Sequence, residues 1–118
     1  MPIAERQQLD QAFHALADSN RRAIVARLTR GAASVSELAA PLDVSLPTVL
    51  QHLDVLQRSG LVRSEKVGRV RTCRLEPGPM GAVEGWIVEH RAIWERRLDI
   101  LGDVLDDAFP TTKGHRSK

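Results

Sequence analysis

The chain has 118 residues, of which 42% are hydrophobic and only 3% aromatic, and its formal net charge is +2. This length suits one domain with a small aliphatic core. The single cysteine excludes an internal disulfide framework and a cysteine-based zinc finger. Because no apolar run approaches the ~20 residues of a membrane-spanning helix and the first residues hold no apolar signal-peptide core, we expect a cytoplasmic protein.

Three helices are predicted in the first third of the chain. Apolar residues at helical spacing predict helix 1 over residues 5–17. Asp18 is suited to cap the start of a second helix, and Gly31 to end it. Ser34 and Glu37 have the spacing of a capping box, which predicts a short third helix beginning there.

Residues 44–61 predict a fourth helix that begins after Ser45 and ends before Gly60. One face carries an apolar stripe of Val49, Leu53 and Leu56. The opposite face carries hydrogen-bonding side chains, which are Thr48, Gln51, His52 and Arg58. Such a face suits the DNA major groove, although the surface helix of an ordinary α domain would show the same pattern. Because about four residues join helices 3 and 4, the pair predicts a helix-turn-helix.

A basic β-hairpin is predicted after the fourth helix. β-Branched residues indicate strands at about 61–66 and 70–75, joined by a turn at 67–69. Lys66, Arg69 and Arg71 lie at or near the tip, where they could reach phosphates or a minor groove. An ordinary solvated hairpin is the alternative. Cys73 should point inward as a small core residue.

A long fifth helix is predicted over about 80–107, after a chain break at the Pro-Gly-Pro of residues 77–79. Its length of ~28 residues corresponds to ~42 Å, which is too long to be buried wholly against so small a domain. We therefore expect a dimer held by helices 1 and 5, although the helix could instead fold back on its own domain. The expected interface residues are Leu9, Phe13, Ile87, Trp94, Leu98 and Leu101. We expect one DNA-binding domain over residues 1–108 and a disordered basic tail over 109–118.

Charge is distributed unevenly along the chain. Residues 45–75 contain six basic and two acidic side chains, a net of +4, whereas residues 84–108 contain three basic and seven acidic ones, a net of −4. Such a split lets one part of the chain approach phosphates while the other avoids them.

Several segments, in order, resemble the ArsR family of winged helix-turn-helix transcriptional repressors over roughly residues 9–107. They are LDQAFHALADSNRRAIVARL, SVSELAAPLDVSLPTVLQHLDVLQRSGLV and GRVRTCRL. The resemblance implies a mainly α fold in the order α1-α2-α3-α4-β-β-α5, a homodimer, a palindromic operator in double-stranded DNA and release by a signal. It also implies that helix 4, at about 45–59, is the recognition helix. Base contacts then fall to Ser45, Thr48, Gln51 and His52, and phosphate contacts at the wing to Lys66, Arg69 and Arg71.

The chain departs from the family's metal-sensing members at the start of helix 3. Ser34 and Ser36 occupy the positions of a Cys-x-Cys pair there, and His90 is the only histidine of the last helix, so no metal or other cofactor is expected. Pro47 and Leu50 replace the family's usual small polar residues. Leu50 could contact a thymine methyl group or be partly buried.

Other functions remain open from the sequence. A repressor that responds to a metal or to thiol modification of Cys73 is a variant within the same family. A winged-helix protein-interaction module without DNA binding is the alternative from another class, and the charge split argues against it. An enzyme is not expected, because the sequence shows no nucleophile–base–acid set and no glycine-rich phosphate loop.

Overall fold

The computed structural model describes residues 3–109 as five helices and three strands. The helices are α1 (Ile3–Ala15), α2 (Ser19–Leu28), α3 (Val35–Ala39), α4 (Leu46–Arg58) and α5 (Pro77–Ala108). The strands are β1 (Ala33–Ser34), β2 (Val62–Val67) and β3 (Val70–Leu75), which form one antiparallel sheet in the order β1-β3-β2. This is the predicted mainly α winged helix-turn-helix. The described residues divide into two compact units, 3–84 and 85–109.

Side-chain caps begin α2 and α3 where the sequence predicts them. The Oδ1 atom of Asp18 accepts hydrogen bonds from the backbone N–H groups of Asn20 at 2.8 Å and Arg21 at 3.1 Å. Ser34 and Glu37 form a reciprocal capping box, in which each side chain accepts from the other residue's backbone N–H. Because these bonds satisfy N–H groups that have no partner within the helix, they fix the first turns of α2 and α3.

The boundaries of two helices differ from the prediction. Helix α1 covers residues 3–15 rather than 5–17, and α5 begins at Pro77 rather than after the Pro-Gly-Pro segment. A proline is tolerated in the first helical turn, because its φ angle is already helical and its missing N–H would have no partner there. The prolines therefore start α5 instead of breaking the chain before it, and its 32 residues span ~48 Å.

Strand β1 was not predicted. Its two residues pair with β3, Ala33 opposite Cys73 and Ser34 opposite Thr72. Two residues are too few to show a period-2 pattern in the sequence. The strand joins the start of α3 to the hairpin of β2 and β3.

The first unit has an aliphatic core. Its fully buried side chains include Ile24, Leu38, Leu53, Leu56, Leu61, Val49 and Cys73. Cys73 faces inward as predicted, and burial raises the pKa of its thiol. Leu9, expected at a dimer interface, is a core residue of its own protomer, and Phe13 is partly buried against the same core. Helix 1 therefore uses part of its apolar face for the core of its own unit, and the assignment of these two residues to a dimer interface stays a prediction.

The second unit contains residues 85–108 of α5, whose side chains are almost all exposed. Charged residues are spread along this whole segment of the helix. Among the helices described in the structure, none is long and apolar enough to cross a membrane. Residues 110–118 of the predicted disordered tail lie outside the described residues.

Candidate nucleic-acid interface

Helix α4 is held by a buried stripe and presents its opposite face to solvent. Val49, Leu53 and Leu56 are buried as predicted. At the helix start, the Ser45 hydroxyl accepts from the backbone N–H of Thr48 at 3.4 Å and lies 2.9 Å from the Thr48 hydroxyl. Both hydroxyls therefore take part in the cap, but each keeps hydrogen-bonding capacity for a further partner.

The outer face of α4 is mostly exposed, and its charges neutralise each other. Asp54 and Arg58 form an ion pair at 2.5 Å, four residues apart on the helix. Gln51 is exposed on the same face, and no described residue hydrogen-bonds to its side chain. Gln51 is therefore the side chain of this face whose donors and acceptors are most available to a ligand.

His52 points away from this face, which argues against its predicted role in base contacts. Its side chain is only 13% exposed and points toward α2. Nε2 lies 3.8 Å from Oδ1 of Asp18, and Nδ1 lies 3.3 Å from Nη1 of Arg21. Because a guanidinium has no acceptor, Nδ1 is the acceptor of that hydrogen bond. The sequence indicates this position, because His52 follows buried Val49 by three residues and residues three apart are neighbours on a helix surface.

The His52 contacts belong to a cluster that joins three helices. Arg21 also donates to the backbone oxygen of Ala15 at 2.6 Å and to that of His14 at 3.3 Å, at the end of α1. The backbone N–H of Arg21 donates to Asp18 and lowers the pKa of that carboxyl group below its ordinary value. The cluster therefore positions α4 relative to α1 and α2.

The register of the hairpin separates its basic residues into two groups. Arg63 lies directly opposite Arg74. Arg74 forms an ion pair with Glu65 at 3.0 Å. Glu76 lies 3.7 Å from Arg63 and 3.9 Å from Arg74, which are ion-pair rather than hydrogen-bond distances. The two arginines of this group are therefore matched by two carboxylates.

The second group of basic residues has no such neutralisation. Lys66 lies directly opposite Arg71, and Arg69 lies at the turn beside Gly68, whose φ is 63°. Within residues 3–109, none of these three side chains forms an ion pair, although Arg71 donates to Ser64 at 3.5 Å. The residues that the sequence assigned to the wing are thus the uncompensated cations of the hairpin.

A groove with apolar and basic residues lies between α3, α4 and the wing. It is lined by Ser34, Val35, Ser36, Leu50, Arg69, Val70 and Arg71. Leu50 and Val70 are both exposed, as is Leu46 one turn before Leu50. Of these apolar side chains, only Leu50 was predicted from the sequence to reach a base.

Comparison with known proteins agrees with this geometry. A family profile described as a helix-turn-helix domain matches residues 16–65. The HTH-type transcriptional regulator Rv2034 of Mycobacterium tuberculosis is 40% identical over 97 residues, which cover 82% of this chain and 88% of that protein. The crystal structure of an ArsR family transcriptional regulator superposes with a TM-score of 0.69 at 50% identity, over 76% of this chain and 93% of that one. The chain belongs to the ArsR family. It is a winged helix-turn-helix, DNA-binding transcriptional regulator.

Another ArsR family relative carries a more specific name. The arsenical resistance operon repressor of Escherichia coli is 40% identical over 68 residues, covering 57% of this chain and 58% of that protein. The proteins similar to this chain are thus transcriptional regulators rather than enzymes.

The positions linked to metal sensing in the ArsR family hold other chemistry here. Ser34 caps α3, and Ser36 is exposed beside it. His90 stacks on Trp86 with ring centroids 4.1 Å apart and donates from Nδ1 to the Trp86 carbonyl oxygen at 2.8 Å. No three His, Cys, Asp or Glu residues in the described part of the chain are grouped so that they could hold a metal ion.

Proposed function

We propose that this ArsR family regulator is a homodimeric repressor that binds a palindromic operator with α4 and its wing. The observation that carries the proposal is the separation of the hairpin cations. Lys66, Arg69 and Arg71 have no carboxylate partner among residues 3–109, while Arg63 and Arg74 have two. Cations without partners are available to phosphates, whose neutralisation releases counterions and favours binding.

In the free protein, two like charges of the hairpin repel each other, and binding to DNA would remove that repulsion. Lys66 and Arg71 are directly opposite each other on neighbouring strands. Like charges in that arrangement destabilise a hairpin. A phosphate placed between or beside them converts the repulsion into attraction, which supports a role for the wing in contacting the DNA backbone.

The face of α4 supports base reading in the major groove. Gln51 offers one donor and one acceptor group, which together match the N7 and N6 positions of adenine. We propose that Gln51 makes this contact, and that the Ser45 and Thr48 hydroxyls make direct or water-mediated contacts at the start of the helix. His52 helps to position the helix through its contacts with Asp18 and Arg21.

The second unit supports dimerisation. Exposed apolar side chains recur along α5, among them Ile87, Trp94, Leu98, Leu101 and Leu105. A row of this length left in water is unfavourable, and covering it with the same helix of a second copy gives the twofold symmetry of most homodimers. Twofold symmetry in turn implies a palindromic operator with recognition helices in successive major grooves, ~34 Å apart.

A dimer bound over a promoter would block RNA polymerase. The E. coli relative is named a repressor, which supports the same role for this chain. Because the proposed ligand is chromosomal DNA, we place the protein in the cytoplasm of the cell.

Fluorescence anisotropy with a duplex from the region upstream of the protein's own gene tests the proposal. We expect tight, salt-sensitive binding that exceeds binding to a random duplex and is unchanged by EDTA or zinc. Substituting Gln51→Ala should cost ~1–3 kcal/mol on the preferred duplex and little on the random one. Transcription from that promoter in vitro should fall when the protein is added.

Three outcomes would contradict parts of the proposal. Binding abolished by zinc would indicate a metal-responsive repressor, with His90 the first residue to substitute. If thiol modification of Cys73 abolished binding, the regulator would be thiol-responsive. If neither the upstream duplex nor a pool selected in vitro bound better than random DNA, the chain would be a protein-interaction module.

A further inference from the structure

We propose that Leu50, with Leu46 beside it, contacts thymine methyl groups in the major groove, so that operator selection includes an apolar contact. The inference rests on the proposed DNA-binding function and specifies which base that function recognises. It assigns a role to two side chains whose exposure nothing else in the described structure explains.

The first observation is the position of the two leucines. Leu46 and Leu50 are 53% and 46% exposed, although α4 has a fully buried stripe on another face. Residues four apart on a helix are neighbours on its surface, so the two side chains form one continuous apolar strip. Exposing two leucines on a short helix forfeits burial that the fold could otherwise have used.

The second observation is the setting of the strip. Leu50 lines the groove whose other walls include Ser36 of α3 and Arg69 and Arg71 of the wing. Neither arginine has an ion-pair partner among the described residues. An apolar strip bordered by uncompensated cations suits an anionic partner. A second copy of the same groove is not that partner, because two grooves of this positive charge would repel each other.

DNA matches both properties of the groove. Its phosphates complement the arginines, and the C5-methyl group of thymine is the apolar feature on its major-groove edge. Because Gln51 follows Leu50 directly, the apolar strip and the proposed adenine contact lie side by side on α4. The geometry therefore points to a thymine next to the base that Gln51 reads, in each half-site.

Replacing thymine by deoxyuridine tests the contact. A duplex selected in vitro with the full chain serves as the probe, and each thymine is exchanged in turn, in both half-sites. The exchange removes the methyl group and leaves the base-pairing and hydrogen-bonding edges intact. At one position per half-site we expect anisotropy titrations to show binding about fourfold weaker for each methyl group lost, from the usual gain of burying one carbon group.

Variants of the leucine assign the effect to its side chain. Leu50→Ala should bind the thymine and deoxyuridine duplexes equally at that position, whereas Leu50→Met should keep the discrimination. Because Leu50 is exposed and alanine and methionine both favour helices, the fold should survive, which circular dichroism checks. Ile3→Ala, which removes an exposed apolar side chain from α1, is the matched control and should discriminate like the wild type.

Failure of this inference can be distinguished from failure of the proposed function. If the selected duplex binds tightly but no deoxyuridine exchange weakens it, the methyl contact is refuted while operator binding stands. If Leu50→Ala remains as sensitive to the exchange as the wild type, Leu50 is not the residue that makes the contact. If selection enriches no sequence, the proposed function and the inference both fail.

Discussion

The separation of the wing cations into paired and unpaired groups predicts that two arginines of one strand behave differently. Arg71 and Arg74 both lie on β3, three residues apart, and both are exposed. Arg71 opposes Lys66 and has no carboxylate partner within the described residues, whereas Arg74 lies 3.0 Å from Glu65. We expect Arg71→Gln to weaken DNA binding and Arg74→Gln to leave it nearly unchanged.

The size of the effect follows from counterion release. Each phosphate contact contributes ~0.9 to the slope of log K against log salt. A dimer with two wings loses two such contacts when Arg71 is replaced, so the slope should become less steep by ~1.8, equally on operator and random duplexes. For Arg74→Gln we expect no change in the slope.

The two variants should also move stability in opposite directions. Arg71→Gln removes a like-charge pair and should raise the free energy of unfolding by ~0.2–1 kcal/mol. Arg74→Gln removes an exposed ion pair and should lower it by ~0–1 kcal/mol. Anisotropy titrations at several salt concentrations and urea unfolding give both quantities. Equal changes in slope for the two variants would show that ion pairing within the hairpin does not decide which cations meet the DNA.

Two further predictions concern the helix cap and the dimer. Asp18→Ala should lower the free energy of unfolding by ~1 kcal/mol, whereas Asp18→Asn should retain the cap. The pKa of Asp18 is lowered in the folded state, so its negative charge stabilises the protein at pH values above the ordinary pKa of 3.8. This stabilisation is lost as the pH falls through the folded pKa. In urea unfolding between neutral and acidic pH, the free energy of unfolding should therefore fall less for Asp18→Asn than for the wild type. Trp94→Ala should raise the dimer dissociation constant at least ~30-fold, which is the usual effect of losing a hot-spot residue. The control Asp99→Ala should leave that constant unchanged. A Trp94→Ala protein that sediments as a dimer at low micromolar concentration would contradict the proposed interface.

Much of the fold could be predicted because its signals are local. The caps at Asp18, Ser34 and Ser45 are set by residues within three positions of each other, and all three are present. The buried stripe of α4 follows from helical spacing alone. The two residues of β1 gave no such signal, because their pairing with β3 depends on residues about 40 positions away.

The candidate site was less predictable, because several of its side chains are placed by contacts between elements. His52 has the residue type of a base reader, but its ring lies against Asp18 and Arg21 of another helix. Leu9 has the spacing of an interface residue, but the first unit needs it for its own core. In both cases the tertiary partner, rather than the residue type, decides which face a side chain occupies.

The availability of each charged side chain depends on tertiary contacts in the same way. The sequence yields a net of +4 for residues 45–75, a sum that treats all six cations alike. The structure divides them, since Arg58, Arg63 and Arg74 lie beside carboxylates and Lys66, Arg69 and Arg71 do not. Within the hairpin the strand register makes this division, because residues directly opposite each other share a face and successive residues alternate between faces. A shift of one residue in that register would move Arg71 toward Glu65 and Arg74 away from it, so the electrostatic surface offered to DNA depends on strand pairing as much as on composition.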